Sequence, residues 1–285
     1  MVWLALLAAC SERGELLGTK EAPRMPPQYG APERVTALSS TGYEEDPTFT
    51  GDLLELFFMS GRGGTNDIWT SQRAAASEPW GAPVLVSELS SPAARDWGPA
   101  IAPDGLTIWF TTDRDGGHAQ IWRSSRTTRT LPWEAPVAVS ELASGATDRS
   151  PAVDQALRAL YFCSDRPGSS GFDIYVSTRP AVNALWETPA RGEGINTAND
   201  ELDPFVAADG LLLFFTAKPL ASEDANLYWS TRSSTADPWS APVPLATLNS
   251  PMYDSDVSVS LDLSYIMFSS TRTGDGEIYE AHAVP

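Results

Sequence analysis

Five acids occupy the same place in a recurring phrase: Glu44, Asp96, Asp148, Glu201 and Asp254. Each stands three residues before a proline (Pro47, Pro99, Pro151 and Pro204) or, in the last copy, before Val257. Carboxylate oxygens gathered from several segments suit a hard cation such as calcium. The same acids have a structural use. Arg62, Arg114, Arg166, Lys218 and Arg272 recur in step with them, so each acid can accept backbone amides or pair with a base of the neighbouring copy. Recurrence in every copy favours this second use, because a reaction needs particular residues in particular places. A third use is glycoside hydrolysis, for which two carboxyls roughly 5–10 Å apart suffice. Asp96, Asp148 and Asp254 are its candidates, with Trp97 or Tyr253 to stack on a sugar.

Other chemistry finds little support. The two histidines, His118 and His282, lie near no serine or cysteine placed to act as a nucleophile, and no Gly-x-Ser-x-Gly elbow occurs. The two cysteines, Cys10 and Cys163, have no metal-ligand spacing. Cys163 follows Tyr161-Phe162 on an expected strand and reads as a small buried hydrophobe. Glycine-rich stretches such as 61–64 and 115–117 precede no helix, so they read as hairpin turns rather than phosphate cradles.

The elements that hold these residues follow from an internal repeat. Trp80, Trp133, Trp186 and Trp239 are spaced 53 residues apart. So are Pro83, Pro136, Pro189 and Pro242, and likewise Arg73, Arg126, Arg179 and Arg232. The arginine column suits inter-strand pairing through its planar fork. Each copy offers short β-branched and aromatic runs separated by turn residues, as in Ile108-Trp-Phe-Thr, Asp113-Arg-Asp-Gly-Gly and Ile121-Trp-Arg-Ser. Four antiparallel strands per copy make one propeller blade. Five aromatic doublets mark the second strands: Phe57-Phe58, Trp109-Phe110, Tyr161-Phe162, Phe214-Phe215 and Met267-Phe268, the last with Met in one place. The fifth copy ends at Pro285 without a fourth strand, while Pro32-Glu-Arg-Val matches that strand at the other end of the chain. The expectation is an all-β, five-bladed propeller over 33–285, its ring closed by the N-terminal strand, which removes the open sheet edges.

The pattern acid-x-x-Pro, Asp-Gly, Phe-Ser/Thr-x-x-Arg, Asp-Ile-Trp/Tyr-x-Ser-x-Arg and Trp-x-x-Pro resembles the WD-like propeller repeat of the TolB type. The resemblance covers 33–285 and implies the fold. The additional N-terminal α/β domain of that family has no counterpart here, so its partner-binding residues do not carry over.

Leu7-Ala8-Ala9-Cys10 resembles the bacterial lipobox, which implies a signal peptide over 1–10 and a lipid on Cys10. Nine apolar residues cannot span a bilayer, which takes about 20. Residues 11–32, with Pro23, Pro26, Pro27 and Pro32, read as a tether. By resemblance to enterobacterial lipoproteins, Ser11 after the cysteine implies the outer membrane. A net charge of −18, from 19 basic and 37 acidic residues, opposes nucleic acid. The expected function is therefore a non-enzymatic, periplasm-facing envelope lipoprotein. Its propeller would act as a scaffold for another envelope protein or a cell-wall polymer, with the membrane touched only through Cys10. A glycoside hydrolase and a calcium-binding module are the alternatives, and no other cofactor is implied. The fourth copy departs from the repeat at 217–225, where glycines give way to Lys218, Leu220, Glu223 and Asp224, the expected partner contact.

Overall fold

The computed structural model describes residues 25–284. The proposed signal peptide, Cys10 and the first part of the tether lie outside the described residues. Within them there are twenty strands and no helix. The first strand, β1 (Glu33–Arg34), is separated in sequence from the blade it joins. The first blade is β2–β5 (Glu44–Phe49, Glu55–Ser60, Asp67–Gln72, Val84–Leu85), and the second is β6–β9 (Asp96–Ile101, Thr107–Thr112, Gln120–Ser125, Val137–Ala138). The third is β10–β13 (Asp148–Val153, Ala159–Ser164, Asp173–Thr178, Ala190–Arg191), and the fourth is β14–β17 (Asp200–Val206, Leu212–Lys218, Asn226–Thr231, Val243–Pro244). The fifth is β18–β20 (Asp254–Val259, Tyr265–Ser270, Glu277–His282), completed by β1. All five sheets are four-stranded and antiparallel, which is a five-bladed β-propeller.

The ring closes as the repeat arithmetic requires: Glu33 pairs with Glu280 and Arg34 with Tyr279. The closure starts earlier than composition suggested. Gly30 N donates to the His282 carbonyl at 2.9 Å, and Val284 N donates to Gln28 O at 2.8 Å. The Tyr29 ring is buried and its hydroxyl donates to the Leu263 carbonyl at 3.0 Å. The chain is thus bound to the propeller from Gln28, inside the stretch read as tether.

The aromatic doublets explain the core. Side chains alternate across a strand with period two, so a second strand buried on both faces gives one ring of each doublet to each neighbouring blade. Phe58 packs with Tyr265 and Met267 of blade five, and Phe57 with Ile101 and Phe110 of blade two. Five core clusters result, one at each of the five blade–blade contacts, including the one across the closure.

The first strands line the central channel, and every one carries a bulge. Pairing with the second strand slips between Glu45 and Thr48, Trp97 and Ala100, Arg149 and Ala152, Leu202 and Phe205, and Ser255 and Ser258. The extra residue takes a left-handed conformation in each blade: Asp46 (φ 56°), Gly98 (56°), Ser150 (51°), Asp203 (49°) and Asp256 (57°). A bulge re-aims a side chain at a cost in pairing, and here it aims four side chains, those of Asp46, Ser150, Asp203 and Asp256, at the cavity.

Candidate functional site

The five recurring acids do not meet one another. Each is buried inside its own blade. Arg114 Nη2 lies 2.6 Å from Asp96, Arg166 Nη2 2.6 Å from Asp148, Arg272 Nη2 2.7 Å from Asp254, and Arg62 Nη2 3.2 Å from Glu44. The same guanidinium groups donate to the carbonyls of Leu89, Leu142, Leu248 and Leu38. The partner is therefore the arginine of the same blade, not of the neighbouring one. A carboxylate opposite an arginine in the turn after the adjacent strand, two residues past the acid's own pairing partner, closes that turn within the blade before any inter-blade contact is needed. Blade four lacks the pair: Glu201 is held by the Thr197 hydroxyl and backbone N–H, and no ion pair joins it to Lys218 among the described residues. Glu44, Asp96, Asp148, Glu201 and Asp254 thus spend their oxygens on the blades, not on a shared cation.

The arginine column is also structural, with more than strand pairing. Arg73, Arg126, Arg179 and Arg232 lie 4.0–4.3 Å over the rings of Trp80, Trp133, Trp186 and Trp239. Their Nε atoms donate to the carbonyls of Leu53, Gly105, Leu157 and Gly210. Three reach the preceding blade: Arg126 pairs with Glu55, Arg232 donates to the Tyr161 hydroxyl at 3.0 Å, and Arg73 lies 5.7 Å from the centre of the Tyr265 ring. The matched spacing of the arginine and tryptophan columns reflects one stacked unit.

The site lies one and two residues beyond the recurring acids, where the blades stop agreeing. One column reads Glu45, Trp97, Arg149, Leu202 and Ser255, and the next reads Asp46, Gly98, Ser150, Asp203 and Asp256. All of the first column, and Asp46, Ser150, Asp203 and Asp256 of the second, face one cavity of about 220 Å³, rimmed by Asn66, Arg95 and Tyr253. At the other mouth the channel is apolar, walled by Phe49, Pro103, Val153, Phe205 and Leu261. The repeat sets five equivalent places, and the sequence fills them asymmetrically.

Carboxylate oxygens of Asp46, Asp203 and Asp256 all lie within 4.8 Å of one another. Asp46 Oδ2 accepts the Gly98 backbone N–H at 3.0 Å, Asp203 Oδ1 accepts the Ser150 hydroxyl at 2.8 Å, and Asp256 Oδ2 accepts the Ser255 hydroxyl at 2.7 Å. The bulge amides are held by the preceding blade: Asp46 N donates to Ser269 Oγ at 3.2 Å, Ser150 N to Thr111 Oγ1 at 2.9 Å, and Asp256 N to Thr216 Oγ1 at 3.3 Å. Cys163 takes that hydroxyl's place in blade three. Buried as expected, its sulfur also accepts the Asp203 N–H, and burial pushes the thiol up to about 11.

Burial and mutual repulsion raise the acids of the mouth. Asp46 rises to about 7 through burial, then Asp203 and Glu45. Asp203 rises to about 7 through burial and Asp256, against the pull of Arg149. Asp256 rises to about 7 through burial and Asp46, and Glu45 to about 8 through burial, Asp256 and Asp203. Tyr253 is likewise pushed well above the ordinary phenol value by burial and the same aspartates. A tight set of oxygens that resist ionising when bare is one that a divalent cation would relieve. Three hard oxygen donors with free lone pairs fit calcium, which completes its six to eight ligands with water or ligand oxygens.

The 217–225 loop sits at this same mouth. Each first strand starts at the mouth, and Asp200 at the start of β14 pairs with Lys218 at the end of β15, so the loop after β15 emerges beside the cavity. Leu220, Glu223 and Asp224 are exposed and Lys218 is half-buried.

No family model matches this chain, and no curated protein matches it. Solved structures are similar in fold. An endo-arabinase from Bacteroides thetaiotaomicron superposes with a TM-score of 0.62 at 13% identity, over 90% of this chain and 97% of that one. A thermostable family-43 glycoside hydrolase gives 0.60 at 16%, over 86% and 90%. TolB from Acinetobacter baumannii gives 0.54 at 17%, over 87% of this chain, which spans 56% of that protein. At these identities the likeness is one of fold: the architecture read here from the repeat is one also found in a TolB and in glycoside hydrolases.

Proposed function

We propose that this chain is a non-enzymatic binding propeller of the bacterial envelope, anchored by a lipid on Cys10, whose working face is the asymmetric mouth. The site takes a hard divalent cation such as calcium on Asp46, Asp203 and Asp256. The observation that carries the reading is the approach of these three carboxylates to within 4.8 Å at left-handed bulges. Left-handed aspartates cost of order 1–3 kcal/mol each, and ordinary blade building does not require them, since blade three uses serine and blade two glycine. The 217–225 loop beside the mouth supplies the contact to an envelope protein or cell-wall polymer.

A glycoside hydrolase is the second reading. The observation favouring it is Glu45, raised to about 8 and so protonated at neutral pH, in a cavity shared with Trp97 and Tyr253. Against it, paired catalytic carboxyls stand about 5–10 Å apart with a sugar bond between them. Asp46, Asp203 and Asp256 bring oxygens within 4.8 Å of one another, a gathering that suits one shared ion better than a sugar bond between two carboxyls. Melting the full chain with calcium and with chelator tests the cation: a rise in calcium that Asp203→Asn abolishes supports it, and no rise refutes it. Release of reducing sugar from arabinan or xylan, lost in Glu45→Gln, would replace the binding reading with the enzymatic one.

A further inference from the structure

We infer that the mouth binds a carboxylate-bearing sugar, with Arg149 as the arm that grips its carboxylate. The inference rests on the cation reading for the neutralisation of the aspartates beside it and for the tighter binding expected in calcium.

Arg149 stands apart from the other arginines of the inner strands. Arg62, Arg114, Arg166 and Arg272 each have a carboxylate and a carbonyl. Arg149 occupies the non-repeating column and lines the mouth cavity. Its Nε is buried and has no hydrogen-bond partner. Among the described residues it makes no ion pair, although Asp203 and Asp46 are near enough to favour its charge. The guanidinium instead sits over the Phe172 ring, its Cζ 4.2 Å from the ring centre. Phe172 is fixed in turn by its N–H to Asp200 Oδ1 at 2.8 Å. A buried donor left unpaired costs about 1–3 kcal/mol, so a fork oriented by stacking and unsatisfied on its edge is built to receive an acceptor.

The acceptor is planar and bidentate by the geometry of the fork. A carboxylate fits better than a phosphate, because it matches the planar fork and brings one negative charge rather than two to a mouth lined by four acids. With a cation on those aspartates, a carboxylate held by the fork can share one of its oxygens with the metal, and a neighbouring hydroxyl can add a further ligand. Trp97 and Tyr253 supply flat walls of the same cavity, the usual apolar complement to a few placed polar groups. A sugar ring has one apolar face and several hydroxyls, so a uronic acid meets every one of these features.

Calorimetry of the full chain with D-galacturonate, galactose and galactose 6-phosphate, with and without calcium, tests the inference. Galacturonate should bind, more tightly in calcium, and galactose should bind at least tenfold more weakly. Arg149→Met keeps the stem over Phe172 and should lose galacturonate at least tenfold while keeping the calcium-induced rise in melting temperature. That retained rise shows the variant folded and the cation site intact. Galactose or the phosphate binding as well as galacturonate, or Arg149→Met binding it equally, overturns the inference. No galacturonate heat in either condition, with a normal calcium shift, overturns it and leaves the cation reading standing. Loss of the calcium shift in the parent chain removes the cation reading instead, and galacturonate binding through Arg149 is then judged on the calcium-free titrations.

Discussion

The Asp46 carboxylate accepts the backbone N–H of Gly98 at 3.0 Å, so one cation-facing oxygen set is braced by the bulge of the next blade. Gly98 has φ 56°, and a Cβ there would meet Ser150 Cα and Thr111 Oγ1 at 3.2 Å. The other four blades hold aspartate or serine in this conformation, so it is the crowding that calls for glycine here. Gly98→Ala should cost about 1–3 kcal/mol, read as a lowered urea midpoint, and should weaken calcium binding because Asp46 loses its brace.

Breaking a blade pair should separate stability from binding. Asp96 is fully buried against Arg114. Asp96→Asn leaves that arginine without its counter-charge and should cost about 3–5 kcal/mol. The surviving folded protein should still show the calcium-induced rise in melting temperature. A variant that keeps its stability but loses the rise would return the cation to the recurring acids.

Stability of the metal-free protein should fall as pH rises from about 5 to 8. The native pKa values of Asp46, Asp203 and Asp256 are raised to about 7, above their unfolded values. Over this window the native state binds more protons than the unfolded chain, so stability falls with pH. Asp256→Asn should flatten the slope and raise stability at pH 8 by at least about 1 kcal/mol, a few degrees of melting temperature for a chain of this size. Thermal melts in chelator at several pH values check both statements. The opposite loss, below pH 4, belongs to Asp52 and Asp262, which hydrogen bonding lowers to about 2.

Cys163 has a role that serine can fill. Ser269 accepts the Asp46 N–H in the equivalent place, so Cys163→Ser should keep stability within about 1 kcal/mol, whereas Cys163→Ala leaves the Asp203 N–H unpaired at about 1–3 kcal/mol. Denaturant midpoints of the two variants make the comparison.

The fold was legible because blade building repeats. Trp80, Arg73 and their counterparts keep one spacing since one stacks on the other in four blades. The aromatic doublets recur because each blade has two neighbours. The same repetition hid the site. Glu44, Asp96, Asp148, Glu201 and Asp254 drew attention through recurrence, and recurrence marked them as blade residues. Asp46, Asp203 and Asp256 lie in a column that the blades do not share, with Gly98 and Ser150 in the other two. The signal was available: columns next to a strict column that vary in charge from blade to blade. What the sequence could not supply was the bulge, which turns the second residue after each acid toward the axis instead of the blade face.

The most direct measurement is crystallographic: crystals of the protein grown with calcium, or soaked with terbium in its place, and examined for anomalous scattering. The expected result is one peak on the channel axis, about 2.3–2.6 Å from oxygens of Asp46, Asp203 and Asp256. A mouth without a peak, or a peak against Asp96 and its counterparts, would contradict the assignment.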